Sequence, residues 1–166
     1  LKMLDIKQYG VLDLSTSAAF YGCTNLDASA TDAPTVSSTS FSEMFRDCTN
    51  FNGDVSSWNI TTVTTLASAF RDAVSFNKSV NNWNTSNVTT LSNTFRGCTS
   101  FDQDLNSWDT SNVENMLETF SDCTQFNGDI FNWDTTNVEN MSSMLNNCNL
   151  FDQSLAAWNI GNVSNF

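Results

Sequence analysis

Apolar residues recur along this chain in columns separated by 25 positions, and polar residues recur between them with the same step. Tryptophan stands at Trp58, Trp83, Trp108, Trp133 and Trp158, and phenylalanine at Phe51, Phe76, Phe101, Phe126 and Phe151. A third column holds Val63, Val88, Val113, Val138 and Val163, and a fourth holds Leu66, Leu91, Met116 and Met141, closed by Phe166. Read backwards, the column of Leu145, Phe120, Phe95 and Phe70 continues to Phe45 and Phe20, and that of Cys148, Cys123 and Cys98 continues through Ala73 to Cys48 and Cys23. The repeat thus reaches to about residue 16. Its earliest copies are worn, with Ala33 where tryptophan should be.

Such self-similarity is the signature of a repeat architecture, because one repeat cannot bury both sides of its own apolar stripe and identical neighbours can. The predicted fold class is a leucine-rich-repeat-like solenoid, with short parallel strands stacked in ladders and short helical or 3₁₀ turns. Residues 1–15 are predicted to form a lead-in or cap, and residues 16–166 about six repeats. Within one repeat, apolar residues three and four apart from Val88 to Cys98 predict a short helical or 3₁₀ turn. The segment Asp104 to Thr110 carries Leu105 and Trp108, is followed by a Ser-Asn turn signal, and predicts a short strand. A second strand is predicted to start at the valine. The departure around Ser29 to Ser40 predicts a bulge.

The polar columns suit a stack of this kind. Asn87, Asn112, Asn137 and Asn162, with Thr62 before them, are expected to pass amide hydrogen bonds from rung to rung as an inner or turn-capping ladder, with a binding strip as the other reading. In the column Asn59, Asn84, Asp109, Asp134 and Asn159, shape is kept while charge changes.

Composition narrows the function classes. With 40% hydrophobic and 12% aromatic residues the chain can bury a core. Eighteen acidic against six basic residues give a net charge of −12, which disfavours nucleic acid and anionic membranes as partners. All six basic residues precede residue 97, so the following part has no internal counter-charge. No segment is apolar enough to insert in a bilayer, and the first residues lack the pattern of a secretion signal.

The segment FYGCTNL, Phe20 to Leu26, resembles the A-F-x-G-C-x-x-L unit of BspA-type leucine-rich repeats. The segments Ser100 to Met116 and Gln125 to Met141 are similar to the 25-residue repeat of BspA-like bacterial surface proteins and mycoplasma lipoprotein-associated domains. This resemblance implies a leucine-rich-repeat-like solenoid displayed extracellularly or on the cell surface, with a role in adhesion or recognition and no catalytic residues to carry over. The pattern stops inside a repeat at Phe166, so the natural protein is expected to continue.

Candidate chemistry is sparse. The five cysteines occupy one column whose Ala73 points to a small apolar slot; one rung is wider than the roughly 3.8 Å a disulfide needs between Cβ atoms, so free, packed thiols are expected. Without histidine or a CxxC pair, zinc lacks its usual ligands. The five tryptophans suit core positions, or else a stacking face for sugars. Asp104 with Asp129, Asp109 with Asp134, and Glu114 with Glu139 stand one repeat apart. Each such like-charge pair costs about 0.8 kcal/mol at roughly 5 Å in water, which a bound calcium ion or plain solvation would relieve. Calcium is the one cofactor these residues suggest; otherwise none is expected. Arg46, Arg71 and Arg96 form the only basic column, either a strip for an anionic glycan or acidic partner, or a solvated face of local ion pairs.

Carboxylates in translational ladders, no histidine and no phosphate-binding loop argue against an enzyme. The expectation is a non-catalytic recognition or adhesion module binding a protein or carbohydrate. The alternative is a stalk or filament unit that self-associates end to end through its terminal repeats.

Overall fold

The computed structural model describes residues 4–166. Four short strands open the chain: β1 (Leu4–Ile6), β2 (Asp13–Leu14), β3 (Leu26–Ala28) and β4 (Thr35–Val36). β1 pairs in parallel with β3, and β2 with β4, with partners 22 residues apart. From Ser40 onward the offset is 25: parallel bridges run Ser40 to Thr65, Thr90, Asn115, Asn140 and Asn165. The lead-in therefore lies beside the first repeat as a shortened rung. It contributes Tyr9, which packs edge-on against Trp58 at 5.2 Å.

A second ladder runs through the segments expected to be helical. The N–H groups of Phe41, Glu43, Phe45 and Asp47 donate to the carbonyls of Thr65, Ala67, Ala69 and Arg71, at 2.7–3.0 Å, and the arrangement recurs from rung to rung. Between these bonds the chain folds into tight turns: Met44 N–H donates to Phe41 O at 3.1 Å and Cys48 N–H to Phe45 O at 3.1 Å. Glu43 and Asp47, third in each turn, have φ of 59° and 61°, the geometry of a type II turn.

That backbone corrects the helical expectation: no helix is present among the described residues. A left-handed residue every fourth position breaks helix propagation, and alternate N–H groups turn to the next rung instead of along the chain. The second left-handed column holds Gly22, Asp47, Asp72, Gly97, Asp122 and Asn147, the residue types that tolerate this conformation best. The strand expected over Asp104 to Thr110 is also corrected. Asn106 and Ser107 form a turn closed by Trp108 N–H donating to Leu105 O at 3.1 Å. Where a strand was expected to start at the valine, single bridges form two residues later.

The core is a set of aromatic columns. Phe45, Phe70, Phe95 and Phe120 stack on one another with centroids 5.3–5.6 Å apart. Each also lies against the phenylalanine six residues on, as Phe95 does on Phe101 at 4.2 Å. Buried aromatic pairs of this kind add about 0.5–1.5 kcal/mol each beyond their area.

Candidate interaction surface

Most groups that could carry chemistry are consumed by the stack. Trp83, Trp108, Trp133 and Trp158 donate their indole Nε1–H to the carbonyls of Val55, Val80, Leu105 and Ile130, at 2.9–3.2 Å. Trp58, Trp83, Trp108 and Trp133 are buried, so those rings offer no stacking face to a sugar. Trp58 Nε1 is buried without a partner among the described residues.

The thiols behave in the same way. All five cysteines are free. Cys48, Cys98, Cys123 and Cys148 donate their S–H to the carbonyls of Phe20, Phe70, Phe95 and Phe120 at 2.8–3.0 Å. Burial pushes the Cys48 thiol up to about 12 and the Cys148 thiol to about 11, and it raises Cys98 and Cys123 further. No reactive thiolate is available from these four at neutral pH.

The asparagine ladder runs through backbone acceptors. Asn87, Asn112, Asn137 and Asn162 donate Nδ2–H to the backbone carbonyls of Thr61, Ser86, Ser111 and Thr136 at 2.7–2.8 Å, not to one another's side chains. A turn carbonyl lies one rung below each amide and needs a donor.

Sequence reasoning missed a second polar ladder. Side-chain oxygens of Asp27, Asn52, Asn77, Asp102 and Asn127 accept the backbone N–H of Asn52, Asn77, Asp102, Asn127 and Asp152, at 2.8–3.0 Å. The signal was present as an Asp/Asn column directly after each phenylalanine.

The acidic pairs do not converge. Asp104 accepts the N–H of Asp129 at 2.9 Å, while Asp129 caps its own turn through Phe131 N–H at 2.9 Å. Asp109 and Asp134 likewise bind the N–H of Ser111 and Thr136 within their own turns. The bond from Thr136 N–H holds the Asp134 carboxyl below its ordinary value. Among the described residues no three acidic or cysteine side chains gather as a metal cage. Glu114 and Glu139 make no ion pair there; with Asn112, Asn137, Asn162 and Ser164 they line an open groove of about 480 Å³.

The arginines form local pairs. Arg46 pairs with Glu43 and lies 5.3 Å over the ring of Tyr21; the Glu43 bond raises its guanidinium above the usual value. Arg96 binds Glu118 of the next rung at 2.6 Å. Among the described residues Arg71 pairs only with Asp72, through Nε at 3.3 Å, and its terminal guanidinium nitrogens have no partner there.

A family described as "Mycoplasma protein of unknown function, DUF285" matches residues 5–88 and, again, residues 64–166. The chain belongs to this family. The two overlapping matches of DUF285 span both the lead-in and the regular rungs. No curated protein and no solved structure is similar to the chain.

Proposed function

We propose that this DUF285 chain is a leucine-rich-repeat-like solenoid of the BspA type, and a non-catalytic recognition or adhesion module working outside a bacterial cell on a protein or carbohydrate partner. One observation carries the reading. Four indoles, four thiols and the Asp/Asn ladder are tied into rung-to-rung hydrogen bonds, which leaves the exposed polar columns, such as that of Glu114 and Glu139, to meet a partner. A framework that absorbs its reactive groups and displays variable polar side chains at fixed spacing suits binding through many weak contacts. Membership in a family described from Mycoplasma supports a bacterial source. Among the described residues no helix is long and apolar enough to cross a membrane.

Two strips, one exposed and one half-buried, are open to a partner. The groove of Asn112, Glu114, Asn137 and Glu139 offers carboxylates and amides in rows one rung apart, suited to hydroxyl or cationic donors. The column of Arg46, Arg71 and Arg96 offers one guanidinium with open nitrogens between two that are already paired. The test is a screen of glycans and matrix proteins with the purified chain, repeated with Glu114→Gln/Glu139→Gln and with Arg71→Gln. Loss of a captured ligand in one variant assigns the strip. A ligand retained by both refutes both strips.

A further inference from the structure

Two columns lose their rung-to-rung bonds at one place, beside the worn segment that follows Ala28. One column holds Gly53, Lys78, Gln103, Gly128 and Gln153. Gln103 and Gln153 donate Nε2–H to the Oδ1 of Asn77 and Asn127 on the preceding rung, at 2.9 and 3.0 Å. Lys78 stands at the same position above Asn52, yet its ammonium makes no ion pair among the described residues. The other column is that of the tryptophans. Four indoles donate to the carbonyl 28 residues earlier. For Trp58 that residue is Ala30, and the buried Trp58 Nε1–H has no partner among the described residues.

Lys78 and Ala30 line one cavity of about 350 Å³, between residues 28–31 and 52–57. Its size falls within the roughly 300–1,000 Å³ of small-molecule sites. Small residues open it. Ala28 and Ala30 give an apolar patch, and Gly53, between Ala28 and Lys78 in their column, carries no side chain; a Cβ there would lie 2.7 Å from that of Ala28. The rest of the lining is polar: Asn52, Asp54 and the hydroxyls of Thr31, Ser56 and Ser57. Asn52 Oδ1 accepts Asn77 N–H at 2.9 Å, so its amide end offers donors, as the Lys78 ammonium does. Asp54, which receives Ser56 N–H at 2.9 Å, is the one carboxylate in the lining and supplies acceptors.

We propose that this cavity binds a sugar acid, a carboxylate-bearing monosaccharide unit. The carboxylate lies at Lys78, in a charge-assisted bond with the one cation of the lining. The sugar hydroxyls donate to Asp54 and exchange hydrogen bonds with Thr31, Ser56 and Ser57, and a C–H face rests on Ala28 and Ala30. A dianion such as phosphate is disfavoured, because Asp54 repels the second charge. A neutral sugar leaves the ammonium without a counter-charge. The site rests on the recognition reading above, and adds to it a ligand class and a place on the chain apart from the two strips.

The test is a titration of the 166-residue chain with glucuronate, N-acetylneuraminate, glucose and inorganic phosphate, read from amide proton–nitrogen correlation spectra. Expected are shifts at residues 28–31 and 52–57 with one or both sugar acids, at a Kd of about 1 mM, and responses about tenfold weaker to glucose and phosphate. Lys78→Gln installs the residue found at Gln103 and Gln153, and should weaken the sugar acid about tenfold, to the level of glucose. Asp54→Ser installs the residue found at Ser79 and Ser154, and should weaken it while keeping its advantage over glucose. Unchanged peaks beyond residue 100 show that each variant is folded; if Lys78→Gln is not, the comparison of sugar acid with glucose in wild type and Asp54→Ser decides. No response to either sugar acid up to about 10 mM, ten times the expected Kd, overturns the proposal. So do shifts outside the cavity, an equal response to glucose or phosphate, or binding that survives Lys78→Gln. Such a failure leaves the two strips to the ligand screen, so loss of this site and loss of the recognition reading are told apart.

Discussion

The buried thiol column makes stability sensitive to alkaline pH. Cys48, Cys98 and Cys123 have no solvent exposure, and each S–H meets a carbonyl of the preceding rung. Burial raises Cys48 to about 12 and the other two beyond it, from an ordinary value of 9.0. Between about pH 9 and these folded-state values the unfolded chain binds fewer protons than the folded one. Stability is therefore full below pH 9 and falls as pH rises. At pH 10 each thiol accounts for about 1.4 kcal/mol of that loss, and three for about 4 kcal/mol. Against a typical total of about 5–15 kcal/mol this is a large share. The assay is chemical denaturation followed by tryptophan fluorescence, in reductant, at pH 7.5 and 10. The comparison is between wild type and Cys48→Ala/Cys98→Ala/Cys123→Ala, since Ala73 already occupies this slot in one rung. The variant should be weaker at pH 7.5, having lost thiol–carbonyl bonds, but its alkaline drop should be smaller by about 4 kcal/mol. Tyr9, whose phenol is also raised by burial, is common to both proteins and cancels. Equal alkaline drops in the two proteins would refute the reasoning.

Other substitutions test other parts of the stack. Phe95→Ala empties a site stacked by Phe70, Phe101 and Phe120 and should cost about 3–5 kcal/mol; Phe20→Ala, at a half-buried ring, should cost clearly less, both read from urea midpoints. Gly97→Ala places a Cβ at φ 72° and 2.3 Å from Asp72 Oδ1, and should lower stability by about 1–2 kcal/mol even if Asp72 swings away. Asn77→Asp keeps the oxygen that receives Asp102 N–H and should be nearly neutral, whereas Asn77→Ala should cost about 1–2 kcal/mol and speed hydrogen exchange at Asp102. Asp134, held below its ordinary value by Thr136 N–H, stabilises above roughly pH 4 and loses that contribution as pH falls through its folded-state value. Asp134→Asn should therefore shrink the difference between urea midpoints at pH 7 and pH 3.

Much of the candidate surface was legible because charged columns can be counted. The glutamates at 114 and 139 and the arginines at 46, 71 and 96 each fall on one column in sequence, and the structure places each set on one strip. Whether a charge is free could not be counted: Arg96 is taken by Glu118, 22 residues on, while Arg71 pairs with the adjacent Asp72. The Asp/Asn ladder from Asp27 to Asp152 was equally visible as a column. Without the backbone, nothing showed that an oxygen there points at the N–H one rung later.

The sequence by itself determined which residues are equivalent, since a 25-residue step without gaps admits one alignment from Trp58 to Trp158. It also marked the small slot of the cysteines and the segregation of charge along the chain. Only the tertiary structure decided the backbone between those columns. Val88 to Cys98 has helical spacing, yet alternate N–H groups find carbonyls in the neighbouring rung. Local periodicity reports which side chains share a face; a hydrogen bond to another rung depends on a partner about 25 residues away, beyond the reach of any local window.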